Sequence, residues 1–219
     1  MILTDTVIKR ITDIRIQEKR KNRVSVFIND EFAFGLDQNV LIKSGIARGD
    51  ELDESRIREV LAMEDLKQAN DKAVRLLAVR ARSIHELRDR LLRDKLPADI
   101  VEQVINEFIR LGLLNDTEFA VMFARNRMIT KPSGRILLIN ELKAKGLGQA
   151  DIDKGLEAAY SEQGEYDYAC EVAVKAKKRY RKREEDAAKK KTTEFLLRRG
   201  FNWDHVKDII ENWEHIDEE

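Results

Sequence analysis

The feature that most constrains the fold of this chain is a helical pattern that occurs three times in its last two-thirds. In each copy a leucine near the end of a basic amphipathic helix, at Leu92, Leu142 and Leu197, is followed by a turn and another apolar-striped helix. These leucines are 50 and 55 residues apart, a period typical of arrays of supersecondary units. Such arrays usually work by presenting an extended surface to a partner, which disfavours an enzyme.

Capping residues divide the first unit of the array, residues 63–113, into three helices. Ser83 and Glu86 have the spacing of a capping box, so a second helix is predicted to begin there. Pro97 suits the first turn of the third helix, because proline there sacrifices no helical hydrogen bond. The apolar spacing predicts that this third helix buries one face, which consists of Ile100, Val101, Val104, Ile105 and Phe108.

The second unit, residues 114–162, repeats this design. Asn115 and Glu118 have the capping-box spacing at its start. Ser133 corresponds to Ser83 and fits a helix start, and about four extra residues are predicted between the first two helices of this unit. The apolar stripe of its second helix is predicted to comprise Ile136, Leu137, Ile139 and Leu142.

The third unit, residues 163–219, is a looser copy. A charged run over residues 177–191 is predicted to lengthen the join between its first two helices. Residues 211–219 form an acidic tail. Terminal units are often atypical because one of their faces has no neighbouring unit to cover it.

Residues 1–62 differ from the rest of the chain. β-Branched and aromatic residues alternate with others on both sides of Asn29 and Asp30, which have turn chemistry, so this segment is predicted to form a β-hairpin. A short helix over residues 37–43, closed by Gly45 as a left-handed cap, is predicted to follow. The alternating residues are Val24, Val26, Ile28, Phe32 and Phe34.

The predicted fold is therefore mainly α-helical. It consists of three tandem three-helix repeats in an elongated curved array, preceded by a small β-rich domain that contains the hairpin. The single cysteine, Cys170, excludes an intramolecular disulfide. Residues 1–5 lack the charged and apolar pattern of a secretory signal, and no apolar run approaches 18 residues, so we expect a cytoplasmic protein.

The chain shows no arrangement of residues that is typical of catalysis. His85, His205 and His215 are far apart and lie near no cysteine cluster, and no glycine-rich loop is followed by the lysine of a phosphate site. Ser83 and Ser133 fit helix starts better than nucleophiles, because a hydroxyl there caps free amides. We predict a protein that is not an enzyme and has no cofactor or metal ion.

Basic residues are the remaining candidates for function. Seven of the nine residues from 175 to 183 are basic, and Tyr180 lies among them. Such a run can follow a phosphate backbone, meet an acidic protein groove, or simply form a solvated helix face. Many of the other arginines have an acidic residue within one helical turn and serve solubility equally well. The candidate partner-binding or DNA-binding residues are Arg80, Arg82, Arg88, Arg125, Arg127, Lys131, Arg135, Lys143, Lys145, Lys175, Lys177, Lys178, Arg179, Arg181, Lys182 and Arg183.

Three stretches of the array, residues 77–87, 113–120 and 134–146, resemble the RecX family of bacterial regulators of the recombinase RecA. The family pattern of three tandem three-helix repeats matches the array found by spacing, and residues 26–36 resemble the β-rich extension of longer members. The long charged run near residues 177–191 departs from the family pattern, which leaves open the question of which repeat dominates binding.

The resemblance implies a non-enzymatic protein that binds RecA filaments on single-stranded DNA. It would lodge in the helical groove of the filament and lower strand exchange, ATP hydrolysis and LexA-type coprotease activity, and thereby regulate homologous recombination and the SOS response. We expect a monomer that also contacts single- or double-stranded DNA weakly. The N-terminal domain would act as a clamp on the filament, as a DNA contact or as a brace for the first repeat.

Two other functions fit the sequence. The first is DNA binding independent of RecA, because three short helices with basic faces are close in outline to helix-turn-helix modules. The zero net charge weighs modestly against it, since dedicated DNA-binding proteins are usually basic. The second is a plain helical scaffold for another partner.

Overall fold

The computed structural model of the chain describes residues 9–216. Within this range the chain begins with a small antiparallel sheet and continues as a series of helices. Residues 217–219 of the predicted acidic tail and residues 1–5, where no secretory signal was expected, lie outside the described residues. Within the described range, no helix is both long and apolar enough to cross a membrane.

The sheet has four strands in the order β3-β2-β1-β4. Asn29 and Asp30 both have positive φ, 52° and 70°, as the two-residue turn between β2 and β3 requires, which confirms the predicted hairpin. Val24, Val26 and Leu36 are buried on one face of the sheet. The strands are β1 (Lys9–Ile16), β2 (Arg23–Ile28), β3 (Glu31–Asp37) and β4 (Glu51–Leu52).

Two helices complete the region that follows the hairpin. Helix α1 (Gln38–Ser44) is capped by the Asp37 carboxylate and ends at Gly45, whose φ of 68° confirms the predicted left-handed cap. Helix α2 (Glu54–Val79) is a single helix of 26 residues. The predicted domain boundary between residues 62 and 63 falls inside α2, so this helix belongs to both segments.

The chain then forms the predicted three-helix repeats, with α2 as the first helix of repeat 1. Each connection between the first and second helices has four residues, over 80–83, 131–134 and 181–184. The longer connections predicted for the second and third repeats are therefore wrong. In the third repeat most of the charged run 177–191 lies within helices and not in the connection. The helices are α3 (Ile84–Arg93) and α4 (Ala98–Arg110) in repeat 1, α5 (Asp116–Thr130), α6 (Arg135–Ala144) and α7 (Gln149–Ala159) in repeat 2, and α8 (Glu165–Tyr180), α9 (Glu185–Arg198) and α10 (Trp203–Glu211) in repeat 3.

The repeat pattern indicated Leu92, Leu142 and Leu197 as the leucines of the second helices. In the first and third repeats a neighbouring leucine is the buried one. Leu92 and Leu197 are 40% and 41% exposed, whereas Leu91, Leu142 and Leu196 are fully buried. Neighbouring residues on a helix point about 100° apart, so only one leucine of a pair can face the core. The sequence did not show which leucine of each pair that is.

The apolar faces of the other helices were predicted with mixed success. All five predicted residues of α4 are buried. In α6 the prediction was partly wrong, because Ile136 is 57% exposed and the core is filled by Leu138 together with Leu142. These two leucines are four residues apart and therefore share one face of the helix.

The described chain divides into two compact units, and the division falls inside α3. One unit contains the sheet, α1, α2 and residues 87–111. In it, Lys72 of α2 and Asp94, which follows α3, form an ion pair of 2.8 Å. The other unit contains residues 81–86 and the chain from Gly112 onward.

Candidate functional site

The start of α3 contacts the turn that follows α6, and we call this contact the first joint (residues 83–86, 116 and 145–146). The Ser83 hydroxyl donates a hydrogen bond to the Lys145 carbonyl at 2.6 Å and accepts one from the Glu86 amide at 3.1 Å. The Asp116 carboxylate accepts a hydrogen bond from the Ile84 amide at 2.8 Å. Ser83 therefore caps its helix, as predicted, and also binds a neighbouring turn.

The start of α6 contacts the turn that follows α9, and we call this contact the second joint (residues 132–136, 165 and 199–200). The Gly134 amide donates to the Arg199 carbonyl at 2.9 Å, and the Ile136 amide donates to the Gly200 carbonyl at 3.2 Å. A Cβ atom on Gly134 would lie 2.1 Å from the Gly200 oxygen, so only glycine permits this approach. The Glu165 carboxylate accepts from the Arg135 amide at 2.9 Å, as Asp116 does in the first joint.

Ser133 does not have the capping role that its alignment with Ser83 predicted. Gly134 is the cap residue of α6, and the Ser133 hydroxyl is buried with no hydrogen-bond partner in the part of the chain that the structure describes. The bonds between the start of α6 and the backbone after α9 are made by the Gly134 and Ile136 amides, without the Ser133 hydroxyl.

Four of the predicted basic residues form ion pairs with acidic residues on other helices. Arg127 makes two hydrogen bonds to Glu141, at 2.7 and 2.8 Å, and its side chain is only 14% exposed. Arg88 pairs in the same two-bond manner with Glu102 and lowers the pKa of that carboxyl. The other two pairs join Lys145 to Glu86 at 2.6 Å and Arg135 to Glu165 at 3.4 Å. The charge of these four residues is thus largely balanced within the chain.

Part of the basic run 175–183 also packs against its own repeat. Lys177 donates to the Trp213 carbonyl at 2.8 Å, and its ammonium lies 5.3 Å from the centre of the Trp213 ring. The Arg183 guanidinium lies 6.0 Å from the ring of Tyr180. A charge reversal at Lys177 would therefore disturb the third repeat as well as any binding surface.

A groove of about 490 Å³ lies between the end of α5 and the helices α8 and α9. It brings together Lys131 from repeat 2 with Lys175 and Arg179 from repeat 3, three of the predicted binding residues. Arg199, which was not among the predicted residues, is the fourth cation. The described residues that line the groove include no acidic side chain; they are Thr130, Lys131, Pro132, Val172, Lys175, Ala176, Arg179, Phe195 and Arg199.

The position of Arg199 is set by the second joint. Its guanidinium donates to the Pro132 carbonyl at 2.7 Å and lies 5.0 Å from the centre of the Phe195 ring. Burial lowers the pKa of Arg199, and the nearby charges of Arg127 and Arg179 lower it further. A signal for Arg199 was present in the sequence, since it precedes Gly200 as Lys145 precedes Gly146.

The remaining predicted residues do not line this groove. Arg80 and Arg82 lie in the connection between α2 and α3, and Arg125 and Lys143 are exposed on α5 and α6. Lys178, Arg181 and Lys182 are exposed in the basic run. Within residues 9–216, no three histidine, cysteine or acidic side chains are close enough to share a metal ion.

Comparison with protein families finds four matches, which together cover most of the chain in order. Residues 9–53 match the regulatory protein RecX N-terminal domain. Residues 69–108, 115–156 and 163–210 match the first, second and third three-helix domains of RecX. Each helical repeat of the structure thus corresponds to one family domain.

Individual relatives agree with these matches. The chain is 32% identical over 205 residues to the regulatory protein RecX of Bacillus velezensis, and the alignment covers 94% of this chain and 78% of the relative. It is 28% identical over 198 residues to the regulatory protein RecX of Listeria welshimeri, with 90% and 73% covered.

Two solved structures share the fold. The crystal structure of a regulatory protein RecX aligns with a TM-score of 0.68 and 25% identity, and the alignment covers 93% of this chain and 99% of that one. The crystal structure of RecX from Lactobacillus salivarius aligns with a TM-score of 0.60 at 24% identity, over 68% of this chain and 97% of the other. At this identity the second likeness concerns the fold alone.

Proposed function

The chain belongs to the RecX family of regulatory proteins, and from this premise we propose that it binds RecA filaments on single-stranded DNA and lowers their activity. The observation that carries the proposal is the ordered match of all four segments, the sheet region and the three repeats, to parts of RecX. In this proposal the chain regulates RecA in recombination and the SOS response and catalyses no reaction itself.

The helical array supports a filament as the partner. A filament presents the same surface many times, and a chain of similar units can contact several successive copies. Contacts that are weak one by one then add, because after the first contact the others form at a high effective concentration. The three repeats have the same order of helices and the same four-residue connections, so they are similar units.

Exposed cations supply the attraction in this proposal. Arg125, Lys131 and Lys143 are exposed in repeat 2, and Lys178, Arg181 and Lys182 are exposed in repeat 3. Positive surface attracts an acidic protein groove or bound DNA, and it speeds association at moderate salt. Arg88, Arg127, Arg135 and Lys145 instead support the fold, since each forms an ion pair within the chain.

The test is RecA-catalysed ATP hydrolysis on single-stranded DNA, titrated with this chain at moderate salt. We expect the rate to fall at well under one chain per RecA, because one bound chain acts on many protomers of a filament. An unchanged rate at a molar excess of the chain would sink the proposal. A fall only when the chain is abundant enough to coat the DNA would instead support RecA-independent DNA binding.

The charge dependence of the inhibition can be tested with a matched pair of variants. Arg125→Gln combined with Lys143→Gln removes two exposed charges from repeat 2, and we expect weaker inhibition. Lys154→Gln combined with Lys207→Gln removes two exposed charges that pair with acidic residues on their own helices, and should leave inhibition nearly unchanged.

A further inference from the structure

We propose that the groove lined by Lys131, Lys175, Arg179 and Arg199 binds the phosphodiester backbone of single-stranded nucleic acid. The inference deepens the proposed function and rests on it for the source of the strand, which is the DNA held in the filament. Three observations carry it: the charge of the groove, the fixed position of its donors, and the composition of its walls.

The groove concentrates positive charge that is only partly balanced within residues 9–216. Arg179 and Arg199 have no carboxylate partner among residues 9–216, and the one acidic neighbour of Lys175 is Glu171 at 3.7 Å. Arg127 and Arg179 both lie close enough to Arg199 for their charges to lower its pKa. Like charges in such proximity repel one another, and a bound anion removes that repulsion.

Donors in the groove are held in place before any ligand arrives. Arg199 uses one nitrogen for the Pro132 carbonyl and lies over the Phe195 ring, which leaves other N–H groups of its guanidinium for a ligand. Arg179 lies 5.9 Å from the centre of the same ring. Held side chains lose less conformational entropy on binding, so the groove is organised for an anion with several acceptor oxygens.

The geometry favours a chain of phosphates over an isolated anion. Lys175 and Arg179 are one turn apart on α8, a rise of about 6 Å along the helix, and Lys131 and Arg199 are contributed by other elements of the groove. Cations distributed in this way can meet more than one phosphate of a strand. A single small anion would reach only part of them.

The walls favour nucleic acid over an acidic peptide. Phe195, Pro132, Val172 and Ala176 line the groove together with the cations, so the groove has both apolar and positive surface. Proteins that bind single strands without sequence preference combine these two surfaces, because bases need an apolar or aromatic neighbour and phosphates need a cation. A poly-acidic segment would use only the cations.

The test compares two double variants that remove equal charge from exposed side chains. Lys175→Gln with Arg179→Gln alters the groove, and Lys154→Gln with Lys207→Gln, two lysines that lie outside it, is the control. The probe is a fluorescent oligothymidylate without RecA, and its anisotropy is followed at several salt concentrations. Thermal unfolding checks that both variants fold, as expected because all four substituted side chains are exposed.

We expect the groove variant to bind the oligonucleotide roughly tenfold or more weakly at low salt, with a salt slope reduced by about 1.4, or 0.7 for each lost phosphate contact. The control variant should bind within about threefold of the unaltered chain. Equal weakening of both variants would overturn the proposal, because diffuse charge alone would then account for binding. Preferential binding of a poly-glutamate peptide through the same residues would overturn it as well.

The same variants separate this inference from the proposed function when they are tested on RecA ATP hydrolysis. If the unaltered chain inhibits RecA while oligonucleotide binding ignores Lys175 and Arg179, the groove assignment is wrong and the proposed function stands. If the unaltered chain binds the oligonucleotide through the groove and leaves RecA unaffected, the groove assignment stands and the proposed function is wrong.

Discussion

The two joints use corresponding elements but different chemical groups. In both, a turn after the second helix of one repeat lies against the start of an earlier second helix, and a carboxylate, Asp116 or Glu165, caps that start. In the first joint the Ser83 side chain makes the link to the turn. In the second joint two backbone amides make it, and the Ser133 hydroxyl has no hydrogen-bond partner among residues 9–216. Equivalent residues of a repeat can thus have different roles.

The difference between the joints comes from how closely the backbones approach. At Gly134 and Gly200 the two segments are so near that neither residue has room for a Cβ atom. Backbone groups then bond directly, and the Arg199 side chain adds one more bond, to the Pro132 carbonyl. At the first joint the Ser83 side chain spans the remaining distance. Gly146 also has no room for a Cβ atom there, but its close neighbour is the His85 side chain and not a backbone group.

The largest expected effect comes from a change that breaks the second joint. Gly134→Ala should lower the free energy of unfolding by about 4 kcal/mol, because the new Cβ forces the segments apart and two backbone hydrogen bonds are lost. Urea unfolding measures the loss. Amide hydrogen exchange should be faster at Ile136, whose bond to Gly200 belongs to this joint.

Gly148→Ala is the matched control for that change. Gly148 also caps a helix, with φ of −73° against −75° for Gly134. The nearest atom to a Cβ there is 3.6 Å away, so the cost should be about 1 kcal/mol or less. Similar losses for the two variants would mean that the close approach does not distinguish the second joint.

An intermediate effect is expected from replacing the buried leucine in the second helix of each repeat. These variants test whether the three cores are equivalent although the joints differ. Leu91→Ala, Leu142→Ala and Leu196→Ala should each cost about 3 kcal/mol, because each removes a fully buried side chain. Leu92→Ala should cost less than about 1 kcal/mol, since that residue is 40% exposed. The measurement is urea unfolding of the four variants. A loss at Leu92 equal to that at Leu91 would contradict the assigned core.

The smallest expected effect comes from replacing the two corresponding serines, one in each joint. Ser83→Ala should cost about 1.5 kcal/mol, because the Glu86 amide and the Lys145 carbonyl both lose their partner. Ser133→Ala should change stability by no more than about 0.5 kcal/mol, or raise it, since its buried hydroxyl makes no hydrogen bond. Thermal unfolding of the pair measures the difference. Equal losses would show that the two serines share one role.

Local patterns account for the parts of the fold that could be predicted. The Asn29-Asp30 turn, the Gly45 cap and the buried face of α4 depend on residues close in the chain, and all three are confirmed. The choice between Leu91 and Leu92 depends on which neighbouring helix lies opposite. That information is spread over distant residues, so a repeat pattern alone did not contain it.

Candidate binding residues were less predictable than helices. Charge runs indicated Lys131, Lys175 and Arg179, but composition could not show that they line one groove with Arg199. Nor could it show that Arg88 and Arg127 pair with Glu102 and Glu141, each 14 residues further along the chain. Such pairs join different helices, and helical spacing detects only partners three or four residues apart.

By itself, the sequence determined the number of repeats, the kind and order of their helices, and the family to which the chain belongs. These properties follow from short-range periodicity, capping and turn chemistry, which act between residues close along the chain. The tertiary structure decided which glycines contact another segment, which serine forms a hydrogen bond to a neighbouring turn, and which cations of residues 9–216 have no acidic partner. Those outcomes depend on atomic distances between segments some 60 residues apart, such as 134 and 200, where a shift of 1 Å replaces a backbone hydrogen bond by a clash.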